Sequence, residues 1–168
     1  MVAPLDYSPR LIAERICDGY RRILLFGESG IGKSTLAADL ARELAGRGRS
    51  CLCIGADPGS PSFGVPGSVC LGRWQKNGWQ LLALEALCTL DAGRFRLPLI
   101  SAVRRAAREL AREMVLVDAP GIVRGVAGAE LLAGLAEAAE IDLVVVIARD
   151  AARLPVANEL ATIGCRVL

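Results

Sequence analysis

Arg22-Ile23-Leu24-Leu25-Phe26, followed by Gly27-Glu28-Ser29-Gly30-Ile31-Gly32-Lys33-Ser34-Thr35, decides how the rest of the chain reads. The first stretch is a short apolar run, the pattern of a buried strand. Gly27 to Ser34 matches GxxxxGK[ST], and Lys33 to about Leu44 has the spacing of an amphipathic helix ending near Gly46. A strand, a glycine-rich turn and a helix in that order make a cradle for phosphate. Glycine lets the backbone wrap closely, and successive N–H groups at a helix N-terminus favour anionic oxygens. Gly27, Glu28, Ser29, Gly30, Ile31 and Gly32 are therefore expected to bind a nucleoside triphosphate. Lys33 is expected to bridge its β- and γ-phosphates, Ser34 to offer its hydroxyl to Mg²⁺, and Thr35 to reach the α-phosphate.

Working outward, strands and helices alternate. Ser8-Pro9 opens a helix running to about Gly19. Ser50 to Ala56 is a strand, and Asp57 to Ser68 is a loop rich in glycine and proline. Trp79 to Leu87 reads as a strand, Leu97 to Glu113 as a helix, Met114 to Val117 as a strand ending in Asp118, and Ala129 to Glu140 as a helix. Leu143 to Ala148 is a strand, Pro155 to Ile163 a short helix, and Arg166 to Leu168 the start of another strand. This alternation predicts an α/β fold of the P-loop NTPase kind: a mostly parallel sheet between helical layers, one nucleotide-binding domain over 1–168. Ligands of such sheets sit at the carboxyl ends of the strands, so the loops after Phe26, Ala56 and Val117 are where a site is expected.

Composition narrows the chemistry. The chain has 168 residues, 53% of them hydrophobic, enough to build a core without disulfides. The net charge of +2 is too small to argue for nucleic acid by itself. No apolar run is long enough to span a bilayer and no secretory signal core is visible, so a cytoplasmic protein without membrane contact is expected. There is no histidine, which excludes an imidazole base, a Ser-His-Asp triad and His-containing zinc sites. The six cysteines form no CxxC pair; Cys51 and Cys53 should face one side of a strand as reduced core thiols.

Two aspartates end strands. Asp118 closes an apolar run in the manner of a Walker B aspartate and is expected at Mg²⁺. Asp57, in Ala56-Asp57-Pro58-Gly59, suits a carboxylate that accepts a proton from an attacking hydroxyl. Asp-Pro-Gly is equally good turn chemistry, so a capping role stands beside it. Asp118-Ala119-Pro120-Gly121 also has the DxxG form of P-loop GTPases, but no [NT]KxD element for guanine follows the later strand; the only lysines are Lys33 and Lys76. Arg124 directly follows this loop and is expected to meet a phosphate or the charge of the transition state. Arg94 and Arg96 lie in another strand-end loop. Arg73, Trp74, Lys76 and Trp79 place cations beside indoles, which reads as a single-strand stacking surface or as core tryptophans around an Asn77-Gly78 turn. Arg104, Arg105, Arg108 and Arg112 fall on one helix face, as a solvated surface or a phosphate track.

Four blocks in order resemble the polynucleotide 5′-hydroxyl kinases, the P-loop RNA kinases of pre-mRNA cleavage and ribosomal RNA processing. They are the strand with Gly27 to Thr35; Ala56 to Gly67, similar to DxGQ…PPG; Leu90 to Pro98, at the place of a G-S-x-S-P segment; and Val117 to Gly125 with Gly128 to Leu132, similar to (D/T)TxGxVxG…G…EL. The resemblance implies transfer of the γ-phosphate of ATP, with Mg²⁺, to the 5′-hydroxyl of single-stranded RNA or DNA. It implies that Asp57 is the general base and that Asp118 to Gly121 is a clasp holding the triphosphate and Lys33. Ser60 stands where the family commonly has glutamine, and the third block lacks the serines. The family closes its site with an arginine-bearing lid after the last strands; here it would come from beyond Leu168 or from a partner. Two other readings stay open: a SIMIBI-type GTPase serving as a metallochaperone or mutase chaperone, and a nucleotide-binding module without catalysis.

Overall fold

The computed structural model describes residues 8–76, 78–150 and 156–168. Asn77 and Pro155, used above, lie outside them. The elements are α1 (Pro9–Cys17), β1 (Arg22–Gly27), α2 (Lys33–Gly46), β2 (Cys51–Gly55), β3 (Ser68–Gln75) and β4 (Gly78–Ala86). They continue with α3 (Arg96–Arg108), β5 (Met114–Asp118), α4 (Gly125–Ala138), β6 (Leu143–Ile147), α5 (Ala157–Thr162) and β7 (Arg166–Val167). The strands form one seven-stranded sheet in the order β4-β3-β2-β5-β1-β6-β7. β2, β5, β1, β6 and β7 are parallel, and β3 and β4 add an antiparallel edge.

Period-two alternation splits the core between the sheet faces. Ile23, Leu25, Cys51, Cys53, Leu116 and Leu143 meet Ile16, Leu40 and Leu44 of α1 and α2. Leu24, Phe26, Leu52, Ile54, Val115 and Val117 meet Leu99, Val103, Leu131 and Leu135 of α3 and α4. The result is the expected three-layer α/β/α arrangement, with Cys51 and Cys53 buried together on the α2 side as free thiols. The buried Arg22 crosses to the other layer, where Nη1 donates to Ala107 O and Ala139 O at the C-terminal ends of α3 and α4. There it satisfies carbonyls that a helix end leaves without partners.

The structure departs from the sequence reading at β3, at the end of α3 and at the start of α4, which is Gly125 and not Ala129. β3 is a strand that the reading omits. Its register against β4 shifts between Leu71 and Gly72, so no unbroken alternation marks it. α3 ends at Arg108, capped by Glu109, whereas the periodicity continues to Glu113 because no breaker interrupts it. Arg112 therefore leaves the helix, and Arg104 and Arg105 pair with Glu137 and Glu85, which favours a solvated ionic face over a phosphate track. Trp74 is buried, edge-on to Trp79 with ring centroids 5.0 Å apart, and Phe63 also packs on Trp79, at 5.6 Å. The indoles are thus core packing beneath Arg42, whose guanidinium lies 5.9 Å from the Trp74 ring, and not an open stacking surface. Among the described residues, no helix is long and apolar enough to cross a membrane.

Candidate phosphate-binding site

Strand order brings the three loops together. Asp118 at the end of β5 sits in register between Leu25 of β1 and Gly55 of β2. The phosphate loop begins two residues beyond Leu25, and Asp57 lies two beyond Gly55. In the sequence Asp118 is 61 residues from Asp57 and 84 from Ser34; in the sheet their loops are neighbours because β5 is inserted between β1 and β2.

The loop itself needs its glycines. Gly30 (φ 70°) and Gly32 (φ 103°) lie in the left-handed region. Gly32 is the N-cap of α2 and has no side chain to cap it, so the first N–H groups of a fourteen-residue helix face the pocket mouth. A pocket of about 250 Å³ opens there. The phosphate loop lines it with Ser29, Gly30 and Gly32 to Thr35, the β2 loop with Asp57 and Ser60, and β5 with Asp118 and Ala119.

Lys33 is buried, and its Nζ donates to Gly27 O and Glu28 O, both at 3.0 Å. Burial holds its pKa below the ordinary lysine value, while the charges of Asp118 and Asp57 pull it back up. The sequence reading has the clasp hold Lys33; instead, the ammonium takes the carbonyls of its own loop, and the clasp meets that loop at Ser29. A Cβ on Gly121 would lie 2.5 Å from Ser29 N, so only glycine allows this approach.

Asp118 is 3% exposed. Its Oδ2 accepts from Ser34 Oγ at 2.6 Å and Ser62 Oγ at 3.4 Å, whereas its Oδ1 is buried without a partner. Burial raises its carboxyl above the usual range, against the Ser34 hydrogen bond and the Lys33 charge. A carboxylate beside a serine hydroxyl, with one buried oxygen lacking a donor, fits a hard oxygen-seeking cation such as Mg²⁺. Among the described residues, no group of three or more His, Cys, Asp or Glu side chains is arranged for a metal. Ser34 and Asp118 would thus hold the ion together with phosphate oxygens and water, as is usual for Mg²⁺.

Asp57 is half-buried, and its Oδ1 accepts from Gly59 N (3.0 Å) and Ser60 N (3.2 Å). The turn role weighed from the sequence is therefore present, and it fixes the carboxylate at the pocket wall. Gly59 packs on Leu90, and Gly93 on Ile122, so the third block braces both the Asp57 loop and the clasp. Arg124 is exposed and binds the phosphate loop through Glu28, with Nη2 and Nε at 2.6 and 3.1 Å from Oε1. Gly27 closes β1 against Ile147, where a Cβ would lie 2.5 Å from the carbonyl oxygen. Thr35 lies at the exposed rim, and Ile31 N donates to Glu28 O. Arg96 pairs with Glu130, and Arg94 lies 5.9 Å from the Phe95 ring. The sequence reading assigned no role to Ser62, which reaches Asp118 only through the path of its loop, nor to the Glu28 carboxylate, whose motif position accepts any residue.

The chain folds as a mostly parallel mixed sheet flanked by helices, with the GxxxxGK[ST] turn between β1 and α2. No protein-family model matches the chain, and no curated protein matches it. Among solved structures, it is similar to a wild-type Clp1p–Pcf11p complex: TM-score 0.70 and 17% identity over 94% of this chain and 44% of that one. A second Clp1p–Pcf11p structure, which accounts for ATP loss in a glycine-to-arginine point mutant, matches with TM-score 0.64 and 16% identity over 83% of this chain and 41% of that one. The chain spans less than half the length of the chains it matches. At these identities the likeness is one of fold: a mostly parallel mixed sheet of seven strands flanked by helices.

Proposed function

We propose that this chain binds ATP with Mg²⁺ and transfers the γ-phosphate to the 5′-hydroxyl of a polynucleotide. The observation that carries this reading is a second carboxylate, Asp57, on the wall of the pocket that holds Lys33 and the Ser34–Asp118 pair. Binding of a triphosphate needs only the latter three; proton abstraction from an acceptor needs another base. In this scheme the 5′-hydroxyl proton passes to Asp57 as its oxygen bonds the γ-phosphorus. The bond from that phosphorus to the β–γ bridging oxygen breaks, and ADP leaves. Lys33 and the α2 N-terminus stabilise the charge on the phosphoryl oxygens, and Arg124 adds to it. Bound Mg²⁺ would neutralise β- and γ-oxygens beside Ser34 and Asp118. The fold neighbours are complexes with Pcf11p, one concerning ATP loss, and this chain spans less than half of the matched chains. That supports ATP as the nucleotide and a partner or further segment as the lid over the acceptor.

End-labelling tests the proposal: the chain, Mg²⁺, γ-labelled ATP or GTP, and 5′-hydroxyl RNA and DNA oligonucleotides. Label on an oligonucleotide from ATP, lost in Lys33→Ala, is the expected result. Phosphate release from GTP without labelled oligonucleotide would overturn it in favour of a GTPase. Tight ATP binding without transfer, even with a supplied lid segment, would leave a binding module.

A further inference from the structure

We infer that Arg124 makes the site discriminate nucleoside triphosphates from diphosphates, and that Glu28 is a positioning residue that holds Arg124 in reserve until a γ-phosphate takes it. The inference rests on the nucleotide-binding part of the proposed function and not on the acceptor. Glu28 is the second residue of the phosphate loop, a position the GxxxxGK[ST] motif leaves free. Its main chain and side chain each hold one cation. The carbonyl accepts from Lys33 Nζ at 3.0 Å, and Oε1 accepts from Arg124 Nη2 and Nε at 2.6 and 3.1 Å. A P-loop lysine meets β- and γ-phosphate oxygens, so a carbonyl within one hydrogen bond of its ammonium lies beside the terminal phosphate. The guanidinium is held on the residue before Ser29, outside the lining of the pocket, and its exchange partner is the γ end of the ligand.

The tether is built to exchange. Arg124 is the N-cap of α4, directly after the clasp, and Gly121 of that clasp packs on Ser29. Clasp and phosphate loop are thus joined at a fixed backbone contact and at a side-chain ion pair. The Arg124 and Glu28 side chains are 83% and 42% exposed, so their pairing is a weak surface contact. A γ-phosphate carries more charge than a carboxylate and offers a guanidinium two oxygens, so it wins Arg124 from Glu28. A diphosphate ends before that point and leaves the pair as it is.

Titration of the full chain with Mg-ATP and Mg-ADP, using Glu28→Gln, Arg124→Ala and the double variant, tests this. Glu28→Gln keeps the carbonyl that holds Lys33 and removes only the charge. It is expected to tighten ATP roughly two- to fivefold, the worth of an exposed ion pair, and to leave ADP unchanged. Arg124→Ala is expected to weaken ATP more than ADP, and the Glu28→Gln gain specific to ATP should vanish in its background. Equal shifts for ATP and ADP would overturn the inference, as would unchanged ATP affinity in Glu28→Gln. A gain that persists without Arg124 would also overturn it, because relief of repulsion would then be the whole effect. A wild-type chain that binds neither nucleotide would refute the phosphate-loop reading itself, a result separable from these.

Discussion

Gly121→Ala is the sharpest test of how the site is assembled. The new Cβ would lie 2.5 Å from Ser29 N and 2.6 Å from Ser29 Cα and Cβ. The obstructing atoms include main chain, so rotation of a side chain cannot relieve the contact. Comfortable separation begins near about 3.5 Å, so clasp and phosphate loop must part by about 1 Å. Gly121 does not lie in the left-handed region, so alanine carries no backbone strain there and the effect isolates the contact. Overpacking of this kind costs about 1–3 kcal/mol, or a melting temperature lower by about 2–12 °C at this length. A displacement of about 1 Å at a reacting centre costs about 10²-fold in rate. Thermal unfolding, ATP titration and end-labelling would be run beside Gly46→Ala, where a Cβ meets nothing within 4 Å. The control should gain up to about 1 kcal/mol, because glycine in a helix is unfavourable. A Gly121→Ala protein with wild-type melting temperature and ATP affinity would refute the contact and the clasp built on it.

Three other outcomes are expected. Asp57→Asn should bind Mg-ATP almost as wild type and lose phosphoryl transfer; retained turnover in the labelling assay would remove Asp57 as the base. Burial pushes the Cys51 thiol up to about 12, and burial raises Cys53 well above its ordinary value, so at pH 8 the Cys51 thiolate fraction is about 10⁻⁴. A thiol reagent should therefore modify exposed Cys88 in the folded chain and reach Cys51 and Cys53 only on unfolding, as peptide mapping would show. Trp74→Ala should cost about 3–5 kcal/mol in denaturant unfolding, whereas Trp74→Phe should leave oligonucleotide binding unchanged; a selective loss of binding in the phenylalanine variant would restore the stacking surface.

Much of the fold was legible because local chemistry and tertiary demand agree there. Met114 to Asp118 reads as a buried strand closed by a carboxylate and is one, since both faces of a central parallel strand need apolar side chains. β3 was hidden for the opposite reason: Gly72, Arg73 and the register shift suit a bulged strand near an edge, whose pattern depends on its partners. Gly72 itself is required by the Phe63 ring, 2.7 Å from where a Cβ would stand, and nothing near it in the chain announces that. The end of α3 at Arg108 likewise follows from the connection to β5 and not from a breaker in Glu109 to Glu113.

By itself, the amino-acid sequence determined the alternation of strands and helices, the phosphate loop and the two strand-end aspartates, because each depends on residues adjacent in the chain. Only the tertiary structure decided that Asp118 lies against Ser34 with one oxygen unpartnered, that Gly121 rests on Ser29, and that Arg124 is held by Glu28. Those contacts join residues 84, 92 and 96 positions apart. The order of strands in the sheet brings them together, and that order is set by how whole elements bury their faces against one another.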